Sequence, residues 1–156
     1  MSVTIGQPAP EFQLQDTEKN KRALSEFKGQ NVLLLFFPLA FTSTCTTELC
    51  QVRDNLKQYE SLDAQPIGIS VDSLFTLEKF KAEQSLNFPL LSDFNKEASK
   101  AYGALYDDFF GMKGVSKRAA FLVDKQGIVQ YAEVLEDAGS LPDFNAIQGK
   151  LRGRNE

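Results

Sequence analysis

Apolar and polar positions change period along the chain, and each period predicts an element. Glu11-Phe12-Gln13-Leu14-Gln15 alternates at every residue, which predicts a half-exposed strand. Ser25-Glu26-Phe27-Lys28-Gly29 predicts a short helical turn closed by glycine. Residues 31–37 (NVLLLFF) are a continuous apolar run, as expected for a strand covered on both faces, and Pro38 ends it. Leu49, Val52, Leu56 and Tyr59 then recur at helical spacing, predicting a helix over residues 44–62. QPIGISV (65–71) predicts a strand. Asp72 or Ser73 then caps a helix running to about residue 86, with Leu74, Leu77 and Phe80 at helical spacing.

Phe88-Pro89-Leu90-Leu91 predicts a short strand, with the proline at its start or on a sheet edge. A short helix over 95–102 is stopped by Gly103. Residues 104–117 predict a loop rich in aromatics and glycine. The apolar runs 118–124 and 128–134 flank Lys125-Gln126-Gly127 and predict a hairpin. A last helix is expected over 140–151, with a frayed tail at 152–156. Parallel βαβ crossovers followed by an antiparallel hairpin make an α/β chain with a central mixed sheet and helices on both faces. This order resembles the thioredoxin-like fold, in a single domain over residues 1–156.

Composition narrows the chemistry. The 156 residues carry a formal charge of −4, with 42% hydrophobic and 24% charged residues, ordinary for a globular domain. The acidic balance argues against nucleic acid. The longest apolar run, residues 32–41, is too short to span a bilayer, and residues 1–15 have neither the basic start nor the apolar core of a secretory signal. The chain therefore reads as cytoplasmic and soluble. It has no histidine, which removes Ser-His-Asp and Cys-His nucleophile pairs and every imidazole zinc site. Its two cysteines are too few for a four-thiolate metal site within one chain. Two cysteines in a cytosolic protein are more often redox-active or catalytic than a permanent cross-link.

The informative stretch is FFPLAFTSTCTTELC, residues 36–50. A buried strand ends, and a loop leads into a helix whose first turn holds Cys45. Ligands collect at such strand ends in open α/β sheets. The helix dipole and unpaired amides there favour a thiolate, which is the nucleophilic form. Pro38 narrows the approach, and Thr42 and Thr44 offer hydroxyls. Arg118 opens a strand, where chain meets loop. A guanidinium beside Cys45 stabilises both a thiolate and a charged oxygen, work that histidine does in cysteine proteases.

Pro38, Thr42 and Cys45 have the spacing P-x-x-x-T-x-x-C, which resembles the peroxiredoxin active-site motif. Glu48 and Arg118 fall where that family places its site glutamate and arginine. The resemblance runs from Gly6-Gln7-Pro8-Ala9-Pro10-Glu11-Phe12 through Phe88-Pro89-Leu90-Leu91-Ser92-Asp93 to the C-terminal helix, and NVLLLFFPLAFTSTC is most similar to the AhpE-like subgroup. It implies a thiol-dependent peroxidase acting on hydrogen peroxide and organic hydroperoxides. Cys45 is then the peroxidatic cysteine, passing through a sulfenic acid. Thr42 and Arg118 hold the peroxide oxygens, and Pro38 shields the site. No cofactor or metal is implied, because sulfur carries the redox chemistry. The implied partners are peroxide, a thioredoxin-like or low-molecular-weight thiol reductant, and a second copy of the chain.

Cys50 departs from the AhpE-like pattern. The spacing C-x-x-x-x-C resembles the PrxQ (bacterioferritin comigratory protein) subgroup, in which the second cysteine resolves the sulfenic acid. Five residues of ideal helix rise about 7.5 Å and turn about 500°, leaving Cα atoms roughly 8–9 Å apart. A disulfide needs them within about 7 Å. If Cys50 resolves Cys45, the helix must unwind in each cycle.

Plainer readings stand beside these. Cys45 alone would pass for a small buried hydrophobe. Cys50 is either resolving or inert. Arg118 is a site residue or a surface charge, and Glu48 a site residue or a favourable acid in a first helical turn. Ser43 or Thr44 is an N-cap candidate. Tyr102, Leu105, Tyr106, Phe109, Phe110 and Met112 are a packing cluster or a dimer contact. A one-cysteine peroxidase with an external thiol, or a non-catalytic thioredoxin-fold redox sensor, is the alternative function. A disulfide oxidoreductase fits less well, because that chemistry uses C-x-x-C.

Overall fold

The computed structural model describes residues 3–154. In chain order these form β1 (Gln13–Asp16), β2 (Lys21–Ala23), a 3-10 turn (Leu24–Phe27), β3 (Asn31–Phe36), α1 (Ser43–Asp54) and α2 (Leu56–Ser61). Then come β4 (Ala64–Ser70), α3 (Leu74–Glu83), β5 (Leu90–Ser92), α4 (Glu97–Ala101), β6 (Arg118–Val123), β7 (Val129–Leu135) and α5 (Phe144–Arg154). The strands make one seven-stranded sheet in the order β2-β1-β5-β4-β3-β6-β7. β3, β4 and β5 are parallel; β6 lies antiparallel to β3, and β7 antiparallel to β6.

The run of β3 is buried at every position because both faces of the sheet are covered. Side chains alternate between faces along a strand. Leu33, Leu35 and Phe37 pack with Leu49 and Val52 of α1, Tyr59 of α2, Leu77 and Phe80 of α3, and Ile147 and Leu151 of α5. Val32, Leu34 and Phe36 pack on the other face with Leu24 and Phe27 of the 3-10 turn, Ala98 of α4, and Tyr102. Each such leucine or phenylalanine contributes about 1.5–3 kcal/mol by leaving water. Among the described residues no helix is long and apolar enough to cross a membrane.

Several expectations are corrected. The helix expected over 44–62 is two helices. At Asn55 the side-chain Nδ2 donates to the Gln51 carbonyl at 2.8 Å, so an amide side chain competes with the backbone ladder and α1 stops. The alternating segment at 11–15 pairs only from Gln13, in a hairpin with β2, a strand too short to show in its pattern. The last helix starts at Phe144, not 140. Asp143 Oδ1 accepts from the Ala146 amide at 3.0 Å and caps it, after Pro142. Its end reaches Arg154, so residues 152–154 of the expected tail are helical, while 155 and 156 lie outside the described residues. The α3 helix ends at Glu83, short of 86, and the short strand is shifted past Pro89 to Leu90–Ser92. Helix α4 covers only Glu97–Ala101 of the expected 95–102. Ser73 is the cap of α3: its side chain accepts from the Thr76 amide at 3.1 Å.

The aromatic cluster divides. Tyr102 belongs to the core, its hydroxyl donating to the Pro10 carbonyl at 2.7 Å. Tyr106 stacks on Phe109, Phe109 meets Phe110 edge-on, and Phe110 is 89% exposed.

Candidate active site

The loop between β3 and α1 is built from both ends. The Phe37 amide makes a last ladder bond to the Ile69 carbonyl at 2.9 Å, and Pro38, which has no N–H, stops the pairing. The Ala40 amide donates to Asp72 Oδ2 at 2.8 Å, and the Thr42 hydroxyl donates to the Leu39 carbonyl at 2.8 Å. Phe41 between them has φ +70°, and its ring meets Phe80 edge-on at 5.1 Å. Thr42 is the residue before the helix, in extended conformation, and its side chain does not cap. Ser43 and Thr44, expected as caps, are the first two residues inside α1, and Cys45 is the third. The oriented amides of that turn give Cys45 the positive end of the helix.

Strand register brings the guanidinium to the same place. β6 runs antiparallel to β3 with Phe36 opposite Ala119, so Arg118 stands one step further, beside the end of β3. Arg118 shares its face with Ala120 and Leu122, and that face is the one α1 covers. Its side chain is 1% exposed. Nη2 donates to Cys45 Sγ at 3.3 Å, and Nη1 donates to Glu48 Oε1 at 2.6 Å. Nε and Nη2 donate to the Ala138 carbonyl at 3.2 and 2.8 Å. Four contacts from one planar fork fix the group in a way lysine cannot reproduce.

Glu48 follows Cys45 by one helical turn and is wholly buried. Burial pushes its carboxyl up to about 7, against the downward pull of the Arg118 charge and hydrogen bond. Its second oxygen, Oε2, has no hydrogen-bond partner among the described residues. Burial disfavours the charged form of Arg118, but Glu48 and Cys45 beside it outweigh that and raise its pKa.

A cleft of about 860 Å³ lies over this group. Its lining includes Pro38, Thr42, Thr44 and Arg118 together with Phe109, Phe110 and Met112. Cys45 lies just beneath, fully buried. Arg118 thus holds Cys45 and Glu48 in one group, and Pro38 and Thr42 line the cleft beside it. Cys50 is elsewhere: it is half-buried, with Sγ 3.6 Å from Gln84 Oε1 at the end of α3. Both cysteines are free thiols, on an unbroken α1. Two contributors escape the sequence pattern. The Ala138 carbonyl comes from the turn Asp137-Ala138-Gly139-Ser140, whose residues announce a turn but not its target. Asp72, a candidate helix cap by its position in the sequence, instead holds the loop.

Comparison with known proteins agrees with this geometry. Residues 5–132 match the AhpC/TSA family. The chain is 39% identical over 135 residues to alkyl hydroperoxide reductase E of Mycobacterium tuberculosis, covering 85% of this chain and 86% of that one. The crystal structure of peroxidoxin BcpB from Mycobacterium tuberculosis superposes with a TM-score of 0.86 at 27% identity, over 97% of each chain. The fold is also that of a cysteine-to-serine mutant of Xylella fastidiosa PrxQ, with a TM-score of 0.88 at 24% identity over 100% of this chain and 99% of that one. A thiol placed under a guanidinium at a strand end, on a chain with these relatives, leads to one assignment: the chain belongs to the AhpC/TSA family, the thiol-dependent peroxidases known as peroxiredoxins.

Proposed function

We propose that Cys45 is the sulfur that reduces peroxide. The observation that carries this reading is the Arg118 Nη2 contact to Cys45 Sγ at 3.3 Å, in a buried site beside a cleft that Pro38, Thr42 and Arg118 line. The Cys45 thiolate attacks the terminal peroxide oxygen. The S–O bond forms as the O–O bond breaks, and the leaving oxygen takes a proton and departs as water or an alcohol. Arg118 stabilises the thiolate and then the charge that spreads over the two oxygens. The Thr42 hydroxyl, its own proton committed to Leu39, keeps lone pairs to accept the hydrogen of the peroxide. Pro38 closes the mouth. The Phe109, Phe110 and Met112 side chains in the lining of the cleft suit the carbon chain of an organic hydroperoxide.

Cys50 then resolves the sulfenic acid. Its thiolate attacks Cys45 sulfur, the S–S bond forms, the S–O bond breaks, and hydroxide leaves to become water. A thioredoxin-like dithiol or a small thiol reduces the disulfide, and the cycle runs in the cytoplasm. A second copy of the chain covers the exposed Phe110 and Met112. Intact mass after one equivalent of peroxide tests the central step. A loss of about 2 Da marks the disulfide, and a gain of about 16 Da a sulfenic acid awaiting an external thiol. An unchanged mass at Cys45 would overturn the assignment.

A further inference from the structure

We propose that Asp72 is the positioning residue of the peroxide-binding loop, holding Pro38 and Thr42 over Cys45 through the Ala40 amide. The proposal rests on the reading of Cys45 given above. The parallel strands β3, β4 and β5 end at one edge of the sheet, and Asp72 ties those ends together. Its Oδ2 accepts from the Ala40 amide at 2.8 Å and from the Ser70 hydroxyl at 2.6 Å. Its own amide donates to Ser70 Oγ at 3.2 Å, and its carbonyl accepts from the Ser92 hydroxyl at 2.6 Å. Ser70 and Ser92 are the last residues of β4 and β5, and Ser70 is fully buried. One side of the clamp is therefore anchored in the sheet, and the other grips the loop midway between Pro38 and Thr42.

The loop needs such a grip. Phe41 directly follows Ala40 and sits at φ +70°, a region that bulky side chains avoid. That conformation persists only where the surroundings impose it. A carboxylate accepting from a backbone amide makes one of the stronger hydrogen bonds available. Capping of α3 does not compete for it, because Ser73 performs that task.

The test compares two reactions of reduced Cys45, well below the melting temperature of each variant. One is oxidation by hydrogen peroxide, which needs the loop in place. The other is alkylation by iodoacetamide, which needs only an accessible thiolate. Asp72→Ala is expected to slow oxidation about tenfold or more while alkylation holds or accelerates. Asp72→Asn keeps an oxygen for the Ala40 amide and should recover most of the loss. Ser92→Ala cuts only the β5 tie and should leave both reactions within about twofold. Oxidation at the wild-type rate in Asp72→Ala, no rescue by asparagine, or an equal loss in Ser92→Ala would overturn the proposal. If Asp72→Ala does not fold, Ser70→Ala decides: it removes both Ser70–Asp72 hydrogen bonds, so oxidation about threefold or more slower is expected, and an unchanged rate overturns the proposal. Failure of the Cys45 reading looks different, as peroxide consumption that survives Cys45→Ser.

Discussion

Cys45 and Cys50 lie on one helix five residues apart, in different chemical surroundings. Cys45 is fully buried in the first turn, under the Arg118 guanidinium and one turn from a buried carboxyl. Cys50 is half-buried in the second half of α1, against the neutral side-chain amide of Gln84. Arg53, one turn on, lies near enough to Cys50 for their charges to interact, but its N–H groups are bonded to the Gln84 carbonyl at 2.6 Å and to Asp54. The difference teaches that residue type does not make the nucleophile. A thiol becomes one where a fixed positive group faces the sulfur and a cleft lies beside it. In the proposed cycle the contrast suits two successive roles: the first sulfur accepts a guanidinium hydrogen bond, and the second sits beside the Gln84 amide with the Arg53 charge nearby.

The largest effect should come from exchanging the first sulfur. Cys45→Ser should abolish peroxide reduction, because a hydroxyl at that position is not ionised at neutral pH. Peroxide consumption with a dithiol reductant checks this, and turnover near the wild-type rate would erase the contrast.

Removing the guanidinium should come next. Arg118→Met takes away a charge-assisted hydrogen bond worth about 1.5–3 kcal/mol, so oxidation of Cys45 should slow roughly ten- to a hundredfold. It also strands Glu48 without its partner, and breaking a buried pair costs about 3–5 kcal/mol of stability. The double variant Arg118→Met with Glu48→Gln separates the two consequences. It should regain much of the stability, read from urea midpoints, and regain none of the rate.

Glu48 carries a pH signature of its own. Its carboxyl is held at about 7 in the folded protein by burial, against about 4.5 in the unfolded chain. Between those values the folded state holds the extra proton, so stability falls as pH rises from about 4.5 to about 7. The full span is worth about 3 kcal/mol. Glu48→Gln should flatten the urea midpoint over that window. A slope unchanged in the variant would place the titration elsewhere.

The architecture and the first cysteine were legible in the sequence for a common reason. Residues 31–37 are apolar without interruption because both faces of β3 are covered, and the Pro38, Thr42 and Cys45 spacing is local. Arg118 was legible as the opening of a strand, but its contact with Cys45 depends on the β3–β6 register, which no short window encodes. Asp72 was hidden because an aspartate before a helix has a simpler explanation as a cap, and only the Ala40 contact across 32 residues reveals its use. The break at Asn55 was hidden by Leu56 and Tyr59, which continue the apolar period across it because α2 packs on the same face as α1.

The smallest effect on the first oxidation should come from Cys50→Ser. In the proposed mechanism attack on peroxide uses Cys45, Arg118 and Thr42, whose side chains make no hydrogen bond to Gln84 or Cys50 among the described residues, so the rate should stay within about twofold of wild type. The consequence appears afterwards. Without an internal disulfide, turnover with a thioredoxin-type reductant should fall, and the sulfenic acid should pass more readily to sulfinic acid under excess peroxide. In the unsubstituted protein the disulfide cannot form on an intact α1, since an i to i+5 pair lies beyond disulfide reach. The two ends of the helix differ in what restrains them. The second half is pinned by Arg53 on the Gln84 carbonyl and by Asn87 on the Arg53 carbonyl at 3.3 Å. The first turn is held by Arg118 on Cys45 Sγ and Glu48 and by the Thr46 hydroxyl on the Thr42 carbonyl, and the Cys45 contact is the one that oxidation alters. Unwinding should therefore begin at Ser43 and carry Cys45 toward a stationary Cys50. Amide hydrogen exchange should rise over residues 43–49 on oxidation, while β3, β4 and β6 stay protected. Faster exchange confined to residues 50–54 would reverse the direction of movement. An oxidised protein with a free Cys50 and no local loosening would make this a one-cysteine enzyme, with the resolving thiol supplied from outside the chain.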